Sequence, residues 1–106
     1  MADEVVILIT AGSADEASTI ARTLVKEHLV ACVNILSGVR SVFFWEGRVQ
    51  DAAESLLLCK SRMARFPDIM ERVKSLHSYT VPEIIALPIA GGLPSYLGWI
   101  RETTQK

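Results

Sequence analysis

The sequence predicts a single α+β domain, residues 1–106, in which strands and helices follow one another in the order βαββαβ. Two amphipathic patterns with helical spacing lie at residues 14–28 and 64–77, and β-branched apolar runs precede and follow each of them. A shorter helical pattern, residues 95–103, lies near the C-terminus. With 106 residues, 50% of them hydrophobic and 22% charged, the chain is long enough to bury one core without a disulfide or a metal.

The first strand and helix have clear boundary signals. Residues 5–11 form a β-branched apolar run bounded by Gly12, which is typical of a strand at the centre of a sheet. Ser13 followed three residues later by Glu16 is a capping-box pattern, so the first helix should begin here. We expect the helix to end at His28, because an imidazolium in the last turn is favoured by the helix dipole.

A long hairpin is predicted in the middle of the chain. Its strands are residues 29–45, with a bulge at residues 37–38, and residues 54–61, and the turn contains residues 46–47. Three consecutive aromatic residues, 43–45, occupy the tip, and an isolated two-stranded ribbon cannot bury them. This predicts a homo-oligomer in which further copies cover the tip. The alternative is that the aromatic residues pack under the chain's own C-terminal segment.

The second half repeats the order helix then strand. The second helix, residues 64–77, tolerates Pro67 in its first turn. The fourth strand, residues 83–90, contains Pro88, and a proline within a strand confines that strand to an edge of the sheet. An edge position for this strand suits the order 4-1-3-2. The sequence thus predicts a ferredoxin-like βαββαβ sandwich with an extended hairpin between strands 2 and 3 and a C-terminal helix.

The charge pattern argues against two classes of partner. The formal net charge is −1 and the Lys and Arg residues are scattered singly, so the basic patch that nucleic-acid binding requires is missing. The longest purely apolar run, residues 5–9, is far shorter than the ~20 residues that cross a bilayer, so no membrane association is expected. Residues 1–4 include two acids where a signal peptide has basic residues, and a cytoplasmic location is predicted.

The two cysteines are expected to be reduced and unlinked. If the hairpin turns over residues 46–49, Cys59 lies opposite Leu36 and Cys32 lies opposite Met63. The two thiols are then about four residues out of register, or ~13 Å, which is beyond the ~7 Å limit for a disulfide. Buried free thiols are usually inert small apolar residues.

No catalytic signature is present, and the most informative polar cluster is a loop. Residues 77–83 place the imidazole of His77, the phenol of Tyr79 and the carboxylate of Glu83 between a helix end and a strand start. Rigid scaffolds often present binding groups in this way. The spacing alone fits a binding loop and an ordinary surface loop equally well.

Several segments, in their order and at their separations, resemble the CutA family of divalent-cation tolerance proteins. The segments are residues 31–34 (ACVN), 45–47 (WEG), 58–60 (LCK), 77–89 (HSYTVPEIIALPI) and 96–100 (YLGWI). The resemblance covers nearly the whole chain. It implies a ferredoxin-like subunit in a tight homotrimer, with hairpins that cross between subunits as in the PII signalling proteins, and a function in tolerance of copper and other divalent cations.

The resemblance also implies a candidate site in clefts between subunits. The matching positions in this chain are Cys32, Trp45, Lys60, His77, Tyr79 and Glu83. Copper ligands in the family are a thiol late in the first strand and a tandem His pair, whereas this chain has Ile9 and Leu76 at those places. His77 is the one matched metal ligand. We therefore expect no required cofactor and at most weak binding of Cu²⁺ or another divalent cation.

Three functional hypotheses follow. The first is a cytoplasmic homotrimer that responds to divalent metal ions by binding or signalling, without catalysis and with an unidentified small ligand or protein partner. The second is a PII-like small-molecule sensor or scaffold that uses the intersubunit cleft. The third is a cleft enzyme in which Lys60 and Glu83 act as acid and base.

Overall fold

The computed structural model of the chain describes residues 3–105 and confirms the predicted α+β, ferredoxin-like fold. The main elements are β1 (Glu4–Ala11), α1 (Ala14–Lys26), β2 (Cys32–Trp45), β3 (Arg48–Arg62), α2 (Phe66–Leu76), β4 (Ile84–Pro88) and α3 (Pro94–Thr103). A short 3-10 helix, Met63–Arg65, joins β3 to α2. No helix in this part of the chain is long and apolar enough to cross a bilayer.

The four strands form one antiparallel sheet in the predicted order, β2-β3-β1-β4. Because β1 lies between β3 and β4, Ile7 pairs with Cys59 on one side and with Ala86 on the other. β4 is an edge strand that ends at Pro88, as the proline predicted. The predicted bounds of this strand and of α2 differ from the observed ones by one or two residues at each end.

The hydrophobic core lies between one face of the sheet and the two helices α1 and α2. Alternate residues of β1 and β3 point into it, which agrees with the period of two along a strand. Its largest fully buried side chains include Ile7, Ile9, Ile20, Leu24, Leu57, Ile69 and Val73. Burial of each such side chain contributes roughly 1.5 to 3 kcal/mol before the entropic cost of folding.

The start of α1 is confirmed, but its predicted end is wrong. The Ser13 hydroxyl accepts the amide N–H of Glu16 at 3.1 Å, as the capping pattern predicted. The helix ends at Lys26, and His28 lies beyond it with a φ of 61°. The His28 Nδ1 atom lies 3.3 Å from the carbonyl oxygen of Thr103 at the end of α3. His28 therefore contacts α3 and does not cap α1.

The hairpin turns more tightly than the estimate of the cysteine register assumed. β3 begins at Arg48, which pairs with Trp45, and the turn consists of Glu46 and Gly47 alone, with φ values of 53° and 80°. Two left-handed residues in succession are the geometry that joins adjacent antiparallel strands with the correct twist. The predicted turn residues 46–47 are thus confirmed, whereas the turn of residues 46–49 assumed for the cysteine register was too long, and β3 begins at residue 48 and not at residue 54. The predicted bulge is confirmed, because the pairing shifts between Leu36 and Val39.

The tighter turn and the bulge change the register around the two cysteines. Cys59 lies opposite Val33, not Leu36, and Cys32 lies opposite Lys60, not Met63. Both cysteines are nevertheless free, as predicted. The reason differs from the predicted one. Cys59 is adjacent to Lys60, the partner of Cys32, so the two thiols project from opposite faces of the sheet. Burial raises the pKa of the Cys59 thiol to about 12, so this side chain is a neutral core residue.

Beyond the bulge, residues 39–53 form an extension of the hairpin that we call the hairpin arm. No helix covers it, and the side chains of Phe44 and Val49 are 71% and 69% exposed. α3 lies near the opposite end of β3, where Arg62 donates hydrogen bonds to Thr104 at 2.9 and 2.7 Å. The aromatic tip is therefore not covered by the chain's own C-terminal segment, and that alternative is excluded for residues 3–105.

Candidate functional site

A cleft of about 770 Å³ lies between the hairpin arm and the loop that precedes β4. We call it the arm–loop cleft. The arm contributes Phe43, Trp45, Glu46, Arg48 and Gln50, the end of β1 and the middle of β3 contribute Thr10 and Glu54, and the loop contributes residues 78–81 and Glu83. Aromatic walls with a few convergent polar groups are typical of a small-molecule site.

The most buried polar group of the cleft is the carboxylate of Glu54. This residue is 7% exposed, and its Oε2 atom accepts a hydrogen bond from the phenol of Tyr79 at 2.5 Å. Desolvation and the hydrogen bond to Glu54 together raise the pKa of Tyr79 to about 12. The phenol is thus a neutral donor over the physiological pH range, and it holds the carboxylate in place.

A glycine makes room for this tyrosine. A Cβ atom at Gly12 would lie 3.1 Å from the phenol oxygen and 3.4 Å from Cε1 of Tyr79. The phenol reaches Glu54 past the short backbone link between β1 and α1, where a larger residue would displace the ring. The glycine that marks the end of the first strand in the sequence therefore also leaves room for the Tyr79 ring.

His77 lies behind Tyr79, and its side chain has no exposed surface. Its Nε2 atom is 2.7 Å from the carbonyl oxygen of Thr10, and its Nδ1 atom accepts the amide N–H of Tyr79 at 3.1 Å. The two aromatic rings are 4.7 Å apart and tilted by 49°. The imidazole thus joins the loop to the end of β1.

The first turn of α1 holds the same loop from a second side. Glu16 accepts the amide N–H of Ser78 at 2.6 Å and the Ser78 hydroxyl at 3.1 Å. Partial burial opposes ionisation of this carboxyl, but the hydrogen bonds from Ser78 outweigh it and lower the pKa of Glu16. Two separate elements therefore fix the loop that carries Tyr79.

Comparison with known proteins decides the family. The family model described as CutA1 divalent ion tolerance protein matches residues 5–103. The chain belongs to the CutA1 family. It is 54% identical over 101 residues, 95% of the chain, to the divalent-cation tolerance protein CutA of Thermus thermophilus, and it spans 98% of that protein.

Solved CutA structures agree with the fold. The Thermus thermophilus CutA1 structure matches with a TM-score of 0.93 over 95% of the chain and 98% of that structure. A structure titled periplasmic divalent cation tolerance protein CutA, from Archaeoglobus fulgidus, matches with a TM-score of 0.93 at 43% identity, over 96% of the chain and 99% of that structure. Among longer relatives, the chloroplastic CutA 1 of rice is 42% identical over 96% of the chain, which spans 58% of its length.

The six positions that the CutA resemblance implied fall into two places on one subunit. Trp45, Tyr79 and Glu83 line the arm–loop cleft, and His77 lies directly behind Tyr79. Cys32 and Lys60 do not line it. They pair with each other across β2 and β3 on the sheet, where the Lys60 ammonium donates a hydrogen bond to Asn34.

This separation bears on acid–base catalysis by Lys60 and Glu83. Lys60 pairs with Val6 of β1, whereas Glu83 comes just before Ile84, which pairs with Ile9. The two backbones are therefore four residues and two strands apart, roughly 16 Å at standard sheet spacings. Proton transfer on a shared substrate needs both groups within hydrogen-bond reach of it, whereas within one chain Lys60 lies outside the cleft that Glu83 lines.

The residues of one chain also do not fit the copper site that the family implies. Over residues 3–105, no three His, Cys, Asp or Glu side chains converge on a point that could hold a metal ion. Ile9, at the place of the family thiol, is fully buried in the core. His77 remains the predicted metal residue, but both of its ring nitrogens already have partners within the chain.

Sequence reasoning missed Glu54 and Glu16. Glu54 was placed on one face of its strand without a role, and Glu16 was interpreted only as part of a helix cap. One signal for Glu54 exists, because it is the only acidic residue between positions 52 and 67. An isolated acid in an apolar strand is a candidate for a paired, functional carboxylate.

Proposed function

We propose that the protein is a homotrimer that takes part in the response to divalent metal ions, and that it acts by binding a ligand in the arm–loop cleft and not by catalytic turnover. Membership of the CutA1 family supports the link to divalent cations. The observation that carries the cleft is the Tyr79 phenol fixed on the buried Glu54 carboxylate at 2.5 Å. Polar groups held in fixed positions in this way suit recognition of a ligand.

The assembly is supported by apolar surface that one chain leaves uncovered. The hairpin arm exposes its aromatic tip, and the sheet face opposite α1 and α2 exposes Leu36, Ile85 and Leu87 to between 46% and 48%. Exposed apolar side chains that are grouped on a surface are typical of an interaction site. Further copies of the same chain are the proposed cover, and the CutA resemblance implies three of them in total.

The trimer would also bring the divided site together. Cys32 and Lys60 lie outside the arm–loop cleft of their own chain. If all six implied residues act at one site, these two come from a neighbouring subunit, opposite Trp45 and Tyr79. A trimer that mixes Lys60→Ala chains with Tyr79→Phe chains would then retain some intact clefts, whereas each variant alone would retain none.

The metal part of the proposal is limited to loose binding. We propose that no cofactor is required and that Cu²⁺ or another divalent cation binds weakly, since one chain offers no convergent set of ligands. We also propose a cytoplasmic location. The names of two relatives refer to other compartments, the chloroplast in rice and the periplasm in Archaeoglobus fulgidus.

A second candidate function is that of a PII-like sensor or scaffold for a small organic molecule, with metal incidental. The size of the cleft favours it. A space of about 770 Å³ with aromatic walls is within the range of pockets for small molecules and far larger than a single cation needs. The two functions agree on the cleft and differ in its ligand.

Calorimetry with Cu²⁺, Zn²⁺ and a panel of nucleotides tests both candidates. Cleft binding of an organic ligand should weaken at least tenfold on Tyr79→Phe and on Glu54→Leu, because each loses the hydrogen bond between them, about 1.4 kcal/mol per tenfold change. Val25→Ala, on the exposed side of α1, is the control and should change nothing. Equal binding by all three variants would contradict a cleft function.

A further inference from the structure

We infer that His77 is a positioning residue of the arm–loop cleft, and that it is not a ligand of a divalent cation. This inference rests on hydrogen bonds within one chain, so its test does not depend on the proposed trimer or on the proposed ligand. It replaces the metal role that the sequence assigned to His77 with a different role at the same site.

The partners of the ring determine its protonation state. The carbonyl oxygen of Thr10 can only accept, so Nε2 of His77, 2.7 Å away, carries the proton. The backbone amide of Tyr79 can only donate, so Nδ1 of His77 is the acceptor at 3.1 Å. The ring is therefore the neutral Nε2–H tautomer, and its one nitrogen lone pair is already used.

A metal ion would need that lone pair. Imidazole binds a cation through an unprotonated nitrogen, so coordination would have to break the hydrogen bond to Tyr79 or remove the proton from Nε2 and break the one to Thr10. The side chain is also fully buried. The nearest acidic group is Glu16, whose Oε2 atom lies 3.6 Å from Nδ1 and also accepts the Ser78 amide. No second imidazole or thiol joins them over residues 3–105.

The same two hydrogen bonds explain what the residue positions. The amide of Tyr79 bonds to the side chain two residues before it, the arrangement by which Asn and Asp side chains form local turns. With its other nitrogen on Thr10, the imidazole fixes this turn against the end of β1. Tyr79 then projects its phenol past Gly12 to Glu54. His77 acts on the cleft through Tyr79 and does not line it.

Two substitutions separate these bonds. In His77→Asn, the amide oxygen can take the place of Nδ1 and accept the Tyr79 amide, whereas the bond to Thr10 is lost. In His77→Gln, the amide nitrogen can take the place of Nε2 and donate to Thr10, whereas the Tyr79 amide loses its acceptor. Both variants remove the imidazole. His28→Gln is the matched control, because His28 is the only other histidine and is exposed.

Cu²⁺ titrations and amide hydrogen exchange measured by NMR on the assembled protein give the test. We expect the Cu²⁺ affinities of His77→Asn and His77→Gln to stay within about twofold of the wild type, whereas exchange of the Tyr79 amide becomes at least about tenfold faster in His77→Gln only. A loss of Cu²⁺ affinity of about tenfold or more in both variants, with none in His28→Gln, would overturn the inference. Unchanged Tyr79 exchange in His77→Gln would also overturn it.

A measurement on the wild type covers the case in which a variant fails to fold. A long-range proton–nitrogen NMR spectrum of the imidazoles should show His77 with a protonated Nε2 and an unprotonated Nδ1 at neutral pH. Added paramagnetic Cu²⁺ should broaden the signals of exposed His28 before those of His77. The opposite tautomer, or selective broadening of His77 by the first additions of Cu²⁺, would contradict the assignment.

Discussion

The two halves of β3 have opposite surroundings. In its second half, Leu57 and Cys59 lie under the helices and are fully buried. In its first half, which belongs to the hairpin arm, Val49 is 69% exposed and its neighbour Phe44 on β2 is 71% exposed. For these apolar side chains, the difference is whether helices cover them. The helices of the same chain cover the second half, whereas the hairpin arm needs cover from outside the chain.

The arm–loop cleft lies where these two halves meet. Glu54 pairs with Val39 at the bulge, and it is the first buried residue of β3 after the exposed arm. A carboxylate at this boundary is buried enough to be fixed by Tyr79 and close enough to the surface to meet a ligand. The comparison therefore predicts that changes in the covered half alter folding, whereas changes in the arm alter assembly.

The largest effect is expected in the covered half. Leu24→Ala removes a fully buried side chain of α1 and should lower the free energy of unfolding by about 2 to 5 kcal/mol, because a cavity remains in the core. Guanidinium denaturation at fixed protein concentration measures this. The adjacent Val25→Ala, at a 40% exposed position, is the control and should change stability by less than about 0.5 kcal/mol. Equal losses in both would remove the distinction between the faces of the helix.

The next effect is expected at the tip of the arm. Trp45→Ala should weaken association of the subunits by about 2 kcal/mol or more, since a large aromatic side chain buried at an interface is a typical hot spot. Circular dichroism should show an unchanged fold, because Trp45 makes no contribution to the core. Sedimentation over a dilution series measures the association. Unchanged dissociation behaviour would mean that the tip is not the interface.

The smallest effect is expected at the boundary itself. The pKa of Tyr79 is raised from 10 to about 12, so the native state holds this proton more tightly than the unfolded state. The stabilisation is therefore fully present below pH 10 and is lost as the pH rises through about 12. Tyr79→Phe should cost about 1 kcal/mol at neutral pH and reduce the loss of stability between pH 10 and 12. Denaturation at several alkaline pH values checks both, and an identical alkaline profile for wild type and variant would contradict the assignment.

The order of the elements could be predicted from the sequence, but the register of the hairpin could not. Helical and strand periods, the Ser13 cap and Pro88 fixed the architecture and the strand order, because these signals are local. Register depends on the number of residues in the turn. The register estimate assumed a turn of four residues, whereas the turn contains only Glu46 and Gly47. With the one extra residue of the bulge, every pair near Cys59 is displaced by three positions.

Residue patterns alone pointed to candidate binding groups only where these are close in sequence. The loop spacing singled out Tyr79 and Glu83 as possible binding groups, and the CutA resemblance implied their place in a cleft. Glu54 was not, since it is 25 residues before Tyr79 and reaches it only through the pairing of the sheet. The role of His77 was also hidden, because the carbonyl of Thr10 that fixes its tautomer is 67 residues away.

The mass of the native protein tests most directly whether further copies of the chain cover the hairpin arm. Light scattering at micromolar concentration should give about 35.1 kDa, three times the 11.7 kDa of one chain. Trp45→Ala should shift this mass downward on dilution, whereas Val25→Ala should not. A wild-type mass of 11.7 kDa at the same concentration would contradict the account, since the exposed aromatic tip would then have no partner.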